Sequence, residues 1–217
     1  MIEMEILYED ASLLVCVKPA GLISEEAGVP ALLREQTGAA RILPVHRLDK
    51  EAAGLMLCAK TQEAAAELSG QITEGRFQKE YLAVAEGCAE EGGALYDLLF
   101  HERTKNKTYV VSRARRGVKQ ALLHYERLAY CEGLSLLRVR LETGRTHQIR
   151  VQFASRGLPL AGDGKYGAQN RRCPLALFSC ALSFRHPKTG EALRFDALPE
   201  EAWPWTLFSE ALRSSAE

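Results

Sequence analysis

The chain has 217 residues, 47% of them apolar, and its 28 basic and 28 acidic residues cancel to a formal net charge of zero. This composition supports a folded core and excludes wholesale disorder, while the N-terminus lacks a secretory signal and no apolar run is long enough to span a membrane. We therefore expect one compact cytoplasmic domain that has no contact with a membrane.

The first third of the chain alternates short apolar runs with turn residues. Strands are predicted at residues 5–8, 13–18 and 54–60, and a short helix at residues 30–36. A second helix begins at about Thr61, whose hydroxyl is a suitable N-cap. Ala64, Leu68 and Ile72 recur every four residues, which predicts that one stripe of this helix is buried.

The middle of the chain is mostly extended. Strands are predicted at residues 79–86, 109–112, 119–130 and 134–142, with breaks at Gly92-Gly93 and Glu132-Gly133. We then expect a helix that is capped by Thr146 and stopped by Gly157, with Ile149 and Phe153 on its buried side.

The last part of the chain predicts a hairpin and a closing helix. Large apolar residues alternate with small ones over residues 178–184, which indicates a strand with one face in the core. Residues 186–190 form a turn and Leu193 and Phe195 continue on a returning strand. Residues 205–213 are compatible with a helix.

Two short segments combine charged residues, glycine and apolar neighbours. The first is His46-Arg47-Leu48-Asp49-Lys50 and the second runs from Thr143 to Arg150 with the sequence TGRTHQIR. Unpaired charges in apolar surroundings are costly, so chemistry explains these segments better than packing does. We infer that both belong to a catalytic site.

The segment HRLDKEAAGL at residues 46–55 resembles the active-site motif of the RluA-type RNA pseudouridine synthases. Further motifs of this family recur in order: VKPAGL at 17–22, KEYLA at 79–83, LETGRTHQIRVQ at 141–152 and GDGKYG at 162–167. The resemblance extends from about residue 8 to 198. The chain departs from the family at Ala52 and Ala53, where relatives commonly carry Thr and Ser.

The resemblance implies an α+β fold, with a mixed, largely antiparallel sheet and flanking helices around a central catalytic cleft. It implies an isomerase that converts a uridine of structured ribosomal or transfer RNA to pseudouridine. No cofactor is expected, and we expect a monomer. Residues 1–217 would form a single catalytic domain without the N-terminal accessory RNA-binding domain that many relatives possess.

The resemblance also assigns three catalytic residues. Asp49 is the nucleophilic carboxylate, and whether it attacks the sugar or the base stays open. Arg150 is the expected partner of this carboxylate, because a planar guanidinium can fix both its charge and its direction. Tyr81 is expected to stack on the uracil, and its hydroxyl can assist removal of a proton from carbon.

Further residues are expected to contact RNA. A target uridine must leave its stack, and Arg47 beside the nucleophile can fill the vacancy. His46 either contacts RNA or bonds its own loop. Arg145 and His147 at the start of a helix, and Lys165 in a glycine-bounded turn, can bind phosphate.

A basic segment offsets the lack of overall positive charge. Residues 101–119 hold seven basic side chains against one acid. We expect Arg113, Arg115 and Arg116 to bind the RNA backbone. The plain alternative is a solvated loop or edge strand.

The six cysteines are too widely spaced for zinc or redox motifs, so we expect no metal and reduced cysteines that pack as small apolar residues.

Two other functions compete with the synthase. One is an RNA-binding or RNA-folding protein whose chemistry has lapsed on the same scaffold. The other is a glycoside hydrolase that uses paired carboxylates among Asp49, Glu51 and Asp163. Acids two apart on a strand point to opposite faces, which argues against the hydrolase.

Overall fold

A computed structural model describes residues 3–214. The chain divides into two compact units. The first unit contains residues 3–79 and 178–199, and the second contains residues 80–177 and 200–214. That residues 1–217 act as one catalytic domain stays a prediction.

Eleven strands and four α-helices make up the described chain. The strands are β1 (Ile6–Glu9), β2 (Leu13–Lys18), β3 (Leu43–Pro44), β4 (Ala53–Ala59), β5 (Gln78–Glu86), β6 (Gly92–Glu102), β7 (Lys107–Val111), β8 (Val118–Cys131), β9 (Leu134–Leu141), β10 (Leu177–Arg185) and β11 (Ala192–Asp196). The α-helices are α1 (Val29–Thr37), α2 (Gln62–Thr73), α3 (Gln148–Ala154) and α4 (Ser209–Ser214), and short 3₁₀ turns cover Arg103–Lys105 and Trp205–Phe208. The mixed, mostly antiparallel α+β class is confirmed.

The sheet of the first unit has the order β1-β2-β4-β10-β11, and β3 also pairs with β4. All of these pairs are antiparallel except β4 with β10, which is parallel. The parallel pair is short and joins Ala53 to Phe178 and Gly54 to Ser179.

Both faces of this sheet are covered, which explains the unbroken apolar runs of β2 and β4. On one face, Leu13 and Val15 of β2 pack with Leu68 of α2. On the other face, Leu14 and Cys16 pack with residues of α1. Successive residues of a strand point to opposite faces, so each run serves two core clusters.

The two helices of the first unit follow the expected end signals. The hydroxyl of Thr61 accepts a hydrogen bond from the N–H of Ala64, as predicted for the N-cap of α2. Ala64 and Leu68 are buried as expected, whereas Ile72 is half-buried and Gln71 is buried beside them. The buried amide of Gln71 donates to the carbonyl oxygen of Arg185 and accepts the N–H of the same residue, so its polar atoms have partners.

The sheet of the second unit is fully antiparallel, with the order β5-β9-β8-β6-β7. Strand β6 was not predicted, because the pair Gly92-Gly93 indicates a break in the sequence. The strand begins at these glycines, where the backbone of β8 passes close: a Cβ on Gly92 would lie 3.1 Å from the carbonyl oxygen of Tyr125.

Helix α3 corrects a second expectation. Thr146 does not cap it: His147 is the N-cap residue, with φ at 53° and no side-chain capping bond. Ile149 and Phe153 are buried as predicted, but so are the polar residues between them, including Arg150. The helix is therefore enclosed on all sides, and its polar side chains need internal partners.

Strand β10 is also more enclosed than the alternation predicts. Ser179 and Ala181 are buried like Phe178 and Leu182, so both faces of β10 are covered. Among residues 3–214, no helix combines the length and apolar character that crossing a membrane requires.

Gly54 in β4 adopts φ of +113°, and a Cβ there would lie 2.4 Å from the backbone nitrogen and oxygen of Ser179. We predict that Gly54→Ala lowers the free energy of unfolding by roughly 2–4 kcal/mol, through backbone strain and loss of the β4–β10 pair. Urea unfolding measures this change.

Gly70 provides the matched control, since it lies in α2 and a Cβ there meets nothing within 4 Å. Gly70→Ala is expected to stabilise the protein by about 0.5–1 kcal/mol. If Gly54→Ala unfolds at the wild-type urea concentration, the close approach at Gly54 is not required.

Candidate active site

Residues that follow β2 hold the loop between β3 and β4 on both sides of Asp49. Ser24 donates its hydroxyl to the carbonyl of Leu48 (2.9 Å) and accepts the N–H of the same residue (3.0 Å). The carbonyl of Lys50 accepts from the backbone N–H of Gly21 at 2.8 Å. Asp49 itself is half-buried. The backbone is therefore held by hydrogen bonds on both sides of Asp49.

Lys18 is a buried cation that also holds this loop, and its side chain is fully enclosed. Its ammonium group donates to three backbone carbonyl oxygens, which matches its three N–H bonds. The acceptors are Pro19 (2.9 Å), Leu22 (2.8 Å) and Lys50 (3.2 Å). Lys18 thus links the end of β2 to the residue that follows Asp49.

Burial lowers the pKa of Lys18 to about 8, and the negative charges of Asp49 and Glu51 oppose that shift. A charged lysine is therefore tolerated here because carbonyl dipoles and nearby carboxylates replace its hydration.

His46 lies inside the protein, with 8% of its surface exposed. Its Nε2 accepts the backbone N–H of Leu57 in β4 at 3.1 Å. Burial, together with the charge of Lys79, lowers the pKa of His46 to about 3. Of the two roles considered for His46, this geometry favours the one within the protein, although the partner is β4 rather than its own loop.

Arg47 presents the opposite case, because its side chain is 65% exposed. It pairs with Glu25 at 2.9 Å, and Glu25 is itself 55% exposed. Surface pairs of this kind are worth little, about 0–1 kcal/mol, so the guanidinium can leave for another partner.

Arg150 in the second unit is 2% exposed and holds Asp163 through two parallel bonds. Its Nε donates to Oδ2 at 2.7 Å and its Nη2 donates to Oδ1 at 2.9 Å. Asp163 is 2% exposed. Both carboxylate oxygens accept from the guanidinium, so Asp163 is unsuited to the acid role that a glycoside hydrolase would require.

Tyr166, three residues after Asp163, connects the turn at 162–167 to two other segments. Its hydroxyl oxygen accepts the N–H of Thr108 in β7 (2.8 Å) and lies 2.9 Å from Nδ1 of His147. Its ring lies 5.3 Å from the guanidinium carbon of Arg150. Burial raises the pKa of Tyr166. The turn, α3 and β7 are thereby held together.

The remaining sequence-predicted residues of the second unit differ in accessibility. Tyr81 lies in β5 opposite Val139 and is 6% exposed. His147 is 5% exposed and is fixed by Tyr166. Arg145 donates from Nε to the carbonyl of Gln120 at 3.0 Å, and Lys165 donates to the carbonyl of Asn106 at 3.1 Å. The last two are half-buried.

The basic segment ends in an exposed loop between β7 and β8. Arg113, Arg115 and Arg116 are all exposed. The guanidinium of Arg115 lies 4.7 Å from the ring centroid of Phe100, a cation–π contact that holds it above β6. Within residues 3–214, none of the three arginines forms an ion pair with a carboxylate.

Sequence reasoning missed Lys18, Asp163 and Tyr166 as supporting residues. All three lie in the motifs VKPAGL and GDGKYG, but Lys165 was expected only to bind phosphate and Asp163 was considered only as a carboxylate of a hydrolase. Charged residues next to strand ends or glycines were the available signal. Among the described residues, no group of three His, Cys, Asp or Glu side chains is arranged to hold a metal ion.

Because His46 is buried with a lowered pKa, we expect the free energy of unfolding to fall in acid. Its folded-state pKa of about 3 lies below the unfolded value of 6.5, so the unfolded chain binds this proton first. Stability present above pH 6.5 is therefore lost as the pH falls towards 3. We predict that His46 contributes about 2 kcal/mol to the loss between pH 7 and pH 5.

Urea unfolding at the two pH values measures this loss. His46→Gln, which keeps an acceptor for Leu57, is expected to reduce the pH dependence by that amount. His124→Gln removes an exposed histidine and is expected to leave the dependence nearly unchanged. Equal pH dependence in wild type and His46→Gln would contradict the buried, neutral state of His46.

Comparisons with known proteins identify the family of the chain. The sequence profile of the family described as RNA pseudouridylate synthase matches residues 12–155. The ribosomal large subunit pseudouridine synthases D of Zymomonas mobilis and Pseudomonas aeruginosa are 34% and 35% identical, over 92% and 95% of this chain and 71% of each relative. An uncharacterised RNA pseudouridine synthase of Bacillus subtilis is 33% identical over 92% of this chain and 70% of its own length.

Solved structures show the same fold. Human RNA pseudouridylate synthase domain containing 1 has a TM-score of 0.79 at 22% identity, with 98% of this chain and 95% of that chain covered. The human domain containing 4 protein has a TM-score of 0.75 at 23% identity, with 96% and 92% covered. Together with the sequence matches, this shows that the chain belongs to the RNA pseudouridine synthase family and is an isomerase that acts on RNA.

Proposed function

We propose that the protein isomerises a specific uridine of large-subunit ribosomal RNA to pseudouridine, with Asp49 as the nucleophile. Two of the relatives described above are named for the large ribosomal subunit, which supports ribosomal over transfer RNA. An enzyme with this substrate works where ribosomes are assembled, which supports a cytoplasmic location. We propose that it acts as a monomer.

The observation that carries the proposal is the rigid mounting of Asp49. Ser24 holds Leu48 through two bonds, and Lys18 and Gly21 hold Lys50. A carboxylate that served only solubility would not need fixed backbone on both sides. A nucleophile needs this arrangement, because small displacements of the attacking atom cost large factors in rate.

The reaction requires no net oxidation or reduction. The bond between the ring nitrogen and the sugar breaks, a bond between a ring carbon and the sugar forms, and the proton lost from that carbon is balanced by one gained at nitrogen. We assign Asp49 the covalent step, at the sugar or at the base. We assign Tyr81 contact with the uracil. The pairing of Arg150 with the Asp49 carboxylate stays a prediction.

The exposure of each candidate residue indicates whether it can contact RNA directly. Arg47 is exposed and only weakly paired, which supports its insertion where the target uridine leaves the stack. The exposed arginines of the basic segment support binding of the RNA backbone. Arg145 and Lys165 retain free N–H donors beside their backbone bonds and stay candidates for phosphate. The burial of His46 and His147 favours support of the site over direct contact.

Asp49→Asn tests the nucleophile, because the amide keeps the size of the side chain but not its nucleophilicity. We predict that pseudouridine formation falls by at least about 10³-fold, while RNA affinity changes less than about threefold. Tritium release from ribosomal RNA labelled at the uracil C5 position measures the rate, and filter binding measures the affinity.

Glu51→Gln is the matched control, a carboxylate removed two residues away, and its rate is expected to stay within a few-fold of wild type. Full activity of Asp49→Asn would contradict the assignment. A wild-type protein that binds RNA but forms no pseudouridine in ribosomal or transfer RNA would instead favour the lapsed RNA-binding alternative.

Charge reversal tests the basic segment. Replacing Arg113, Arg115 and Arg116 by Glu removes three exposed cations, so we predict weaker RNA binding and a salt dependence flattened by roughly 2–3 in logarithmic slope. Filter binding at several salt concentrations measures both quantities.

The control replaces Arg76, Lys188 and Arg213 by Glu, which are exposed and lie outside the segment. It changes the net charge by the same amount, so it separates local from overall charge. If both triple variants bind RNA equally, the basic segment has no special role.

A further inference from the structure

A concave site in the second unit is lined by residues that have no role assigned so far. It is a cleft of about 440 Å³ that is lined by residues 169–172, by Glu132 and Leu134 and by Trp203. This volume falls in the range of small-ligand sites, about 300–1,000 Å³. Two consecutive arginines, an indole ring and two side-chain amides therefore share one cavity.

The backbone that presents the arginines is fixed before any ligand arrives. The carboxylate of Glu86 accepts the N–H groups of Gln169 (2.9 Å) and Asn170 (2.7 Å). The carbonyl of Asn170 accepts the N–H of Gly162 at 2.9 Å, and its side-chain oxygen accepts the N–H of Arg172 at 3.1 Å. Binding at this segment would cost little ordering of the chain.

The charges of Arg171 and Arg172 are not neutralised by an ion pair among residues 3–214. Arg171 and Arg172 are exposed, and over residues 3–214 neither forms an ion pair. Glu132 lines the same cleft, and no ion pair joins it to Arg171 or Arg172 among residues 3–214. The cleft therefore carries a net positive charge, with one acid that disfavours a second or third phosphate.

The cleft adjoins the turn that holds Arg150. A Cβ built on Gly164 would lie 3.6 Å from Cζ and Nε of Arg171, so this guanidinium packs against the turn. The neighbouring residue in that turn is Asp163, the partner of Arg150. A molecule bound by Arg171 would therefore lie near the turn that contains Asp163, and Asp163 holds the candidate catalytic residue Arg150.

We propose that this cleft binds a nucleotide of the substrate RNA other than the target uridine, with its phosphate on Arg171 and Arg172 and its base against Trp203. Guanidinium groups bind phosphate oxygens through paired bonds, and an aromatic ring stacks on any base. The amides of Gln169 and Asn170 offer donors and acceptors to the base edge. The inference rests on the proposed function, since it assigns a further part of the same substrate.

Intrinsic fluorescence tests the cleft without requiring turnover. The chain contains two tryptophans, so Trp205→Phe leaves Trp203 as the only indole. Titration with a single-stranded pentauridylate is expected to quench its emission, and adding Arg171→Ala with Arg172→Ala is expected to weaken this binding roughly 10- to 100-fold. Absence of quenching, or quenching by a phosphoserine peptide alone, overturns the proposal.

Steady-state kinetics on ribosomal RNA provide the second readout. Arg171→Ala with Arg172→Ala is expected to raise KM roughly 10- to 100-fold. Trp203→Ala is expected to raise it roughly 5- to 100-fold, whereas Trp203→Phe keeps a stacking ring and restores most of the affinity. Thermal unfolding of each variant shows whether the fold is intact.

The charge-matched control, Arg76→Ala with Arg213→Ala, is expected to keep the wild-type KM. If wild type is active and the cleft variants match it in KM, the cleft proposal fails while the proposed function stands. If wild type is inactive on ribosomal RNA but pentauridylate still quenches Trp203, the substrate assignment fails while the cleft stands.

Discussion

The ion pair between Arg150 and Asp163 is the constraint on which the second unit depends. Two charges that are each 2% exposed must satisfy one another, because an unpaired buried charge costs several kcal/mol. A buried pair adds little net stability over apolar packing, so its value lies in orientation. It fixes α3 against the turn at 162–167, and Tyr166 of that turn then fixes His147 and Thr108.

The first unit meets the same problem with a different solution. Lys18 is enclosed without a carboxylate in direct contact among its described hydrogen bonds, and its three donors are satisfied by carbonyl oxygens. One of these carbonyls belongs to Lys50, next to Asp49. In each unit a buried cation therefore organises a short polar loop, and the cation is held by bonds that leave its position no freedom. Apolar packing alone would not specify these loops.

The parts of the fold that follow from local periodicity were predictable. β2 and β4 were predicted because each is a short apolar run bounded by turn residues, and α2 was predicted because its apolar residues recur every four positions. β6 was missed because a glycine pair signals a turn locally, and only the close passage of β8 makes it a strand. The partner of Arg150 is 13 residues away and is chosen by tertiary structure, so spacing could not identify Asp163. The motifs identified Asp49 by resemblance, whereas its rigid mounting became visible only in three dimensions.

A net charge of zero is compatible with RNA binding because counterion release depends on local charge. Several basic side chains elsewhere are neutralised by an adjacent carboxylate: Arg76 pairs with Glu74, and Arg194 pairs with Asp196. The exposed arginines at 113–116 and 171–172 have no such partner in the described chain. The net charge counts paired and unpaired basic side chains alike, so it does not show which of them are available to RNA. The positive field that an RNA backbone meets is therefore set by which basic side chains remain unpaired at the surface.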